Sequence, residues 1–123
     1  IIAWNKKYLG KFSNYGLKDP RVKVVNADFI QWMKKTTNKY DVICLDIDNG
    51  PDWTVLSSNK GLYSCGGLQR LGEMLKPGGA ISFWSASKSD KFIKRLKRFF
   101  KEVLVYPVSC KSGKPDYVYK GIL

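Results

Sequence analysis

The 123-residue, 14.0 kDa chain fits one domain on length, and its 44% hydrophobic and 14% aromatic content can build a packed core, which sets disorder aside. Lys and Arg number 22 against 10 Asp and Glu, a formal charge of +12, and histidine is absent. An imidazole base, a Ser-His-Asp triad and a His-ligated zinc site are therefore excluded within these residues.

Cys44, Cys65 and Cys110 are odd in number and widely spaced, giving neither a disulfide framework nor a Cys-x-x-Cys pair, so a reduced intracellular protein without a metal is expected. No apolar run approaches the ~20 residues that span a bilayer, and no leader pattern opens the chain. A soluble, cytoplasmic protein is the expectation. The opening Ile1-Ile2-Ala3-Trp4 has no Met, cap or turn signal before it, so residues 1–123 are expected to be a single partial domain cut from something longer.

Ile1, Ile2, Trp4, Tyr8, Leu9 and Phe12 recur near helical spacing and predict an amphipathic helix that fades at Ser13-Asn14-Tyr15-Gly16. Val22-Lys23-Val24-Val25 alternates and is β-branched, predicting a short strand that ends near Asp28. Phe29, Ile30, Trp32 and Met33 open a second helix, closed by Thr36-Thr37-Asn38. Tyr40 to Asp46 is a continuous apolar run of the kind found in a central strand. A polar segment from Ile47 to Gly61 follows it.

Leu68, Leu71, Met74 and Leu75 form the stripe of a third helix starting near Ser64 and stopped by Lys76-Pro77-Gly78-Gly79. Ala80 to Trp84 predicts a further buried strand. Phe92, Ile93, Leu96, Phe99 and Phe100 mark one face of a fourth helix, and Val103–Val108 and Tyr117–Tyr119 predict an antiparallel hairpin joined by Lys111-Ser112-Gly113-Lys114. This alternation argues an α/β chain with a mostly parallel sheet and an antiparallel C-terminal hairpin.

In such sheets ligands bind beyond the carboxyl ends of the strands, which selects Asp28-Phe29, Asp46 to Trp53, and Ser85 to Ser89. Asp46, Asp48 and Asp52 fall together with Asn49, Gly50, Pro51 and Trp53. A carboxylate there can pair with an amine and take its proton, or the stretch can be an ordinary Asp/Asn/Gly/Pro turn. Asp28 can accept from an adenine amino group with Phe29 against the base, or simply cap the helix it precedes. Ser85-Ala86-Ser87 reads more readily as the cap region of the basic helix.

The order of these elements resembles the Rossmann-like fold of S-adenosylmethionine-dependent transferases. Asp19-Pro20-Arg21-Val22 to Asp28, Tyr40-Asp41-Val42 to Pro51, and Leu75-Lys76-Pro77-Gly78-Gly79 resemble its spermidine synthase-like branch. Asp46-Ile47-Asp48-Asn49-Gly50-Pro51 with Leu62-Tyr63-Ser64, and Trp4-Asn5, are most similar to a bacterial subgroup of spermidine synthase-like proteins with the methyltransferase fold. The resemblance implies Asp28 and Phe29 at the adenine, and Asp46 at both cofactor and reacting centre. It implies Asp48 beside Asp46, and Asn49 and Tyr63 toward the acceptor.

Polyamine synthases carry a second acid three residues after the first, where Asn49 stands, and a Gln and a Tyr where this sequence has Ser85 and Cys110. These departures slightly favour methyl transfer from S-adenosylmethionine, with polyamine aminopropyl transfer from the decarboxylated form as the alternative. The Gly-rich loop and ribose-binding acid, with the fold's first two strands, are expected before Ile1, so residues 1–123 alone are expected to be inactive. Those strands would lie between Val22–Val25 and Tyr40–Asp46. Closing that gap by pairing with a second copy predicts a homodimer; moving the first strand or detaching the first segment are the other ways.

Lys88, Lys91, Lys94, Arg95, Lys97, Arg98 and Lys101 share a stretch with one acid, Asp90. They read first as a solvated helix face, and as the alternative a nucleic-acid or protein contact of a non-catalytic module.

Overall fold

The computed structural model describes residues 1–110 and 113–123, so Lys111 and Ser112 of the expected hairpin loop lie outside the described residues. The chain starts with a helical segment that changes its winding. An α-turn, α1 (Ile2–Trp4), passes into a π-turn over Asn5–Leu9 and a 3-10 turn over Gly10–Ser13. Asn14 and Tyr15, both left-handed, end it. Its apolar stripe is not buried: Ile1, Trp4, Tyr8, Leu9 and Phe12 are all exposed.

The expected Val22–Val25 strand does not form. These residues run without ladder partners, and all three valines are exposed. The reason is cooperative: a strand gains its order from neighbours that accept and donate along the ladder, and no neighbour reaches this one. Asp28 then caps α2 (Phe29–Lys35), its carboxylate accepting from Gln31 N at 2.8 Å. Met33 is the fully buried residue of that helix.

The sheet has four strands, β1 (Tyr40–Leu45), β2 (Leu75–Ser85), β3 (Glu102–Val108) and β4 (Asp116–Ile122), in the order β1-β2-β4-β3. β1 and β2 are parallel; β4 runs antiparallel to both of its neighbours. Pro107 sits in β3, an edge strand, where its missing N–H costs no central ladder bond. Two helices bridge the sheet: α3 (Cys65–Glu73), capped by Ser64, and α4 (Asp90–Leu96), capped by Ser89. The apolar stripe through Phe100 continues as tightened turns after Leu96, with Phe99 N and Phe100 N both bonding to Leu96 O.

One face of the sheet holds the core. Ile43, Leu45, Ile81, Phe83 and Tyr119 are buried with Leu68 and Leu71 of α3 and Phe92 and Leu96 of α4. Phe92 meets Phe83 and Tyr119 edge-on at 5.1 and 5.3 Å between ring centres, and Gly121 is required because a Cβ would stand 2.7 Å from the Phe100 ring. The opposite face is open. Val42 is 60% exposed, and Cys44, Tyr106 and Val108 are exposed with it. A cavity of about 400 Å³, lined by Lys23, Val25, Trp32, Tyr40, Val42 and Met74 among others, separates the Val22–Val25 segment from β1.

Candidate functional site

The parallel pair aims two strand ends at one place. Beyond β1 comes Asp46, and β2 ends at Ser85 and runs into Ala86-Ser87; the start of β4 joins them, since Ser85 pairs with Tyr117. The two loops are stitched together. Ala86 N donates to Asn49 O at 2.9 Å, and Ser85 Oγ donates to Ser87 O at 2.7 Å. Gly50 lies directly on Ser85: its φ is +131°, and a Cβ there would be 2.1 Å from Ser85 Oγ. Glycine is the residue that tolerates both conditions.

Tyr119 locks the far side. Its hydroxyl accepts from Ser89 N at 2.7 Å and donates to Ser87 O at 3.0 Å, and burial pushes its ionisation up. Cys110 sits at the same end of the sheet. Its thiol donates to Asp116 at 3.0 Å, a bond that holds the thiol protonated above its ordinary range.

The sequence reading sets Asp46 and Asp48 side by side at a reacting centre; in the structure one is exposed and the other is buried. Asp46 is exposed, and its carboxylate has no hydrogen bond or ion pair among the described residues. Asp48 is only 4% exposed, and it is saturated by Val55 N at 2.8 Å, Asn59 Nδ2 at 2.9 Å and Tyr63 Oη at 3.2 Å. Its carboxylate is the hub that folds the 49–63 segment back on the strand end. Tyr63 faces inward too, 4% exposed, and its hydroxyl donates to Asp48. Burial first, then the Asp48 charge, raise that phenol far above its usual range. Arg95 caps the arrangement by donating to Tyr63 O at 2.6 Å.

Asn59 and Tyr119 are what sequence reasoning missed. Their partners, Asp48 for the one and Ser87 and Ser89 for the other, lie 11 to 32 residues away, and no local pattern marks them. Asn49 is half-buried and contributes its backbone carbonyl to the stitch.

Asp28 and Phe29 rim a cavity of about 270 Å³ whose other walls include Ile47, Leu56, Asn59 and Leu62. Asp28 Oδ1 is engaged in the cap, while Oδ2 has no partner among the described residues. A flat aromatic heterocycle carrying an amino group suits this place: apolar walls for its faces and one free carboxylate oxygen for the amine. Ile47 connects the cavity directly to Asp46. The adenine end of a nucleoside cofactor therefore fits the residues present. Within 1–123 no Gly-x-Gly turn is available for its other end. No group of three potential metal ligands occurs among the described residues.

A sheet in this order, with a parallel pair joined to an antiparallel hairpin, has the Rossmann-like methyltransferase fold. The solved structures agree on the fold. Spermidine synthase from Thermotoga maritima superposes with a TM-score of 0.69 at 23% identity, over 98% of this chain and 41% of that one. Human methyltransferase-like protein 13 in complex with SAH gives 0.77 at 19%, over 99% and 56%. The model of the spermine/spermidine synthase domain matches residues 1–110, and the chain belongs to that family.

Among curated relatives, the polyamine aminopropyltransferases of Saccharolobus solfataricus and of a Thermoanaerobacter species are 32% and 30% identical over 99% and 89% of this chain. The chain spans 42% and 37% of their lengths.

Proposed function

We propose that the chain supplies the adenine-facing and acceptor-facing side of an aminopropyl-transfer site. Asp46 is the observation that carries this reading: an exposed, unpaired carboxylate at the end of the first parallel strand, one residue from the cavity rimmed by Asp28. The departures at Asn49, Ser85 and Cys110 lean toward methyl transfer, but the curated relatives named above support the aminopropyl alternative better.

Decarboxylated S-adenosylmethionine supplies an electrophilic aminopropyl carbon on its sulfonium. Asp28 Oδ2 accepts from the adenine amino group, and Phe29, Ile47 and Leu56 exclude water from the ring. Asp46 pairs with the acceptor amine and takes its proton as nitrogen bonds to carbon and the carbon–sulfur bond breaks. The leaving thioether is neutral, so proton removal is the step that needs a carboxylate. With no glycine turn in 1–123 to grip the ribose end, these residues by themselves are expected to bind the cosubstrate immeasurably weakly.

The test uses the natural polypeptide that carries residues 1–123, given putrescine and either S-adenosylmethionine or its decarboxylated form. Methylthioadenosine released from the decarboxylated form, and lost by about 100-fold or more in Asp46→Asn, is the expected result. S-adenosylhomocysteine released from S-adenosylmethionine would restore the methyl reading, and absence of both products would refute transfer.

A further inference from the structure

The cations of α4 and its following turn are not spent on the protein's own acids. Lys88 pairs with Asp90 at 2.9 Å, and Arg95 points inward to Tyr63 O. Lys91, Lys94, Lys97, Arg98 and Lys101 are exposed and have no carboxylate partner among the described residues. Arg98 reaches only the sulfur of Cys65, at 3.8 Å. Concentrating five unneutralised charges on one short surface raises its self-repulsion, a cost that a polyanion removes.

The apolar side of the same stretch says which polyanion fits. Phe92, Leu96 and Phe100 are 1%, 0% and 4% exposed, all committed to the core. A membrane-surface helix needs that side for the acyl boundary, so this one has only charge to offer. Charge without an apolar anchor matches a phosphodiester backbone, which binds by counterion release.

We infer that the exposed face of residues 91–101 binds the phosphate backbone of a nucleic acid. The face starts at the lip of the candidate site, because Ser89, which caps α4, is tied by Tyr119 to the loop beyond β2. The inference rests on the charge of this surface and stands whether or not aminopropyl transfer does.

The experiment is fluorescence anisotropy of the purified protein with a labelled RNA of about 20 nucleotides, single-stranded and as a duplex, and with DNA of the same sequence, across a salt series. Four lysine–phosphate contacts on a single strand predict a salt slope near −2.8, so affinity falls about 50-fold between about 50 and 200 mM salt. Lys91→Gln with Lys94→Gln, Lys97→Gln and Lys101→Gln flattens that slope by about 2.8 and weakens low-salt binding at least 10-fold. The matched control, Lys6→Gln with Lys23→Gln, Lys34→Gln and Lys35→Gln, has the same net charge and keeps most of the slope. All eight side chains are exposed, so circular dichroism should show both variants folded.

Equal losses in the two variants would mean that net charge alone attracts the RNA, and would overturn the assignment. Absence of binding at low salt would do the same. So would binding to phosphatidylserine vesicles with none to RNA or DNA. Preference among the nucleic-acid probes identifies which backbone the face takes.

Discussion

Replacing Asp48 by alanine tests the inward-facing carboxylate directly. Three donors lose their acceptor: Val55 N, Asn59 Nδ2 and Tyr63 Oη, at 2.8, 2.9 and 3.2 Å. They are not equivalent. Val55 is 65% exposed and Asn59 half-buried, so water can replace the carboxylate there, at about 0.5–1 kcal/mol each. Tyr63 is buried against Phe83 and Phe92, and its hydroxyl is left without an acceptor, at about 1–3 kcal/mol. Relief from holding a carboxylate away from water offsets part of this.

The net expectation for Asp48→Ala is a loss of about 2–4 kcal/mol, which for a chain of this length lowers the melting temperature by about 10 °C. Urea unfolding followed by tryptophan fluorescence reads it. Tyr63→Phe in both backgrounds should show a coupling of about 1 kcal/mol between the two residues. Asp46→Asn, at an exposed and unbonded position, should change stability by less than about 0.5 kcal/mol. A loss below about 0.5 kcal/mol for Asp48→Ala would refute the hub role. It would return Asp48 to the reacting centre.

Other outcomes follow from the same geometry. Gly50→Ala, with φ at +131° and Ser85 Oγ 2.1 Å from the new Cβ, should cost more than about 2 kcal/mol in chemical unfolding, and adding Ser85→Ala should recover part of it. Tyr63 keeps its proton in the folded state after an unfolded tyrosine has lost it, so the unfolded state binds fewer protons and stability falls as pH rises above about 10. Tyr63→Phe should lessen that alkaline decline in urea titrations. The open edge of β1 and the uncovered face bearing Val42 and Cys44 predict self-association, which sedimentation velocity on a dilution series would show as a concentration-dependent dimer; a monomer at every concentration contradicts it.

Much of the fold was legible because it is local. The apolar runs at Tyr40–Asp46 and Ala80–Trp84 form strands and Ser64 starts α3, each from an instruction carried within a few residues, but Ser89 rather than Ser85-Ala86-Ser87 caps α4, and Leu75 to Gly79, expected as the end and stop of α3, already belong to β2. The opening segment is helical as expected, but its winding changes from α to π to 3-10 and its apolar side chains stay in solvent.

Val22–Val25 shows the limit of such reading: β-branched alternation describes a surface suited to a ladder, but only neighbouring strands supply the ladder. The site divides along the same line. That Asp28, Asp46 and Asp48 all follow or approach strand ends is a matter of sequence position. Which of them is buried depended on the path of residues 49–63, since Asp48 is anchored by Val55 N, Asn59 and Tyr63 while Asp46 stays exposed. Composition, charge and the order of strands and helices are properties of the chain itself. The open sheet face, the stitched loops and the different surroundings of Asp46 and Asp48 were decided by tertiary contacts between residues far apart in sequence, where burial determines which polar groups must find protein partners.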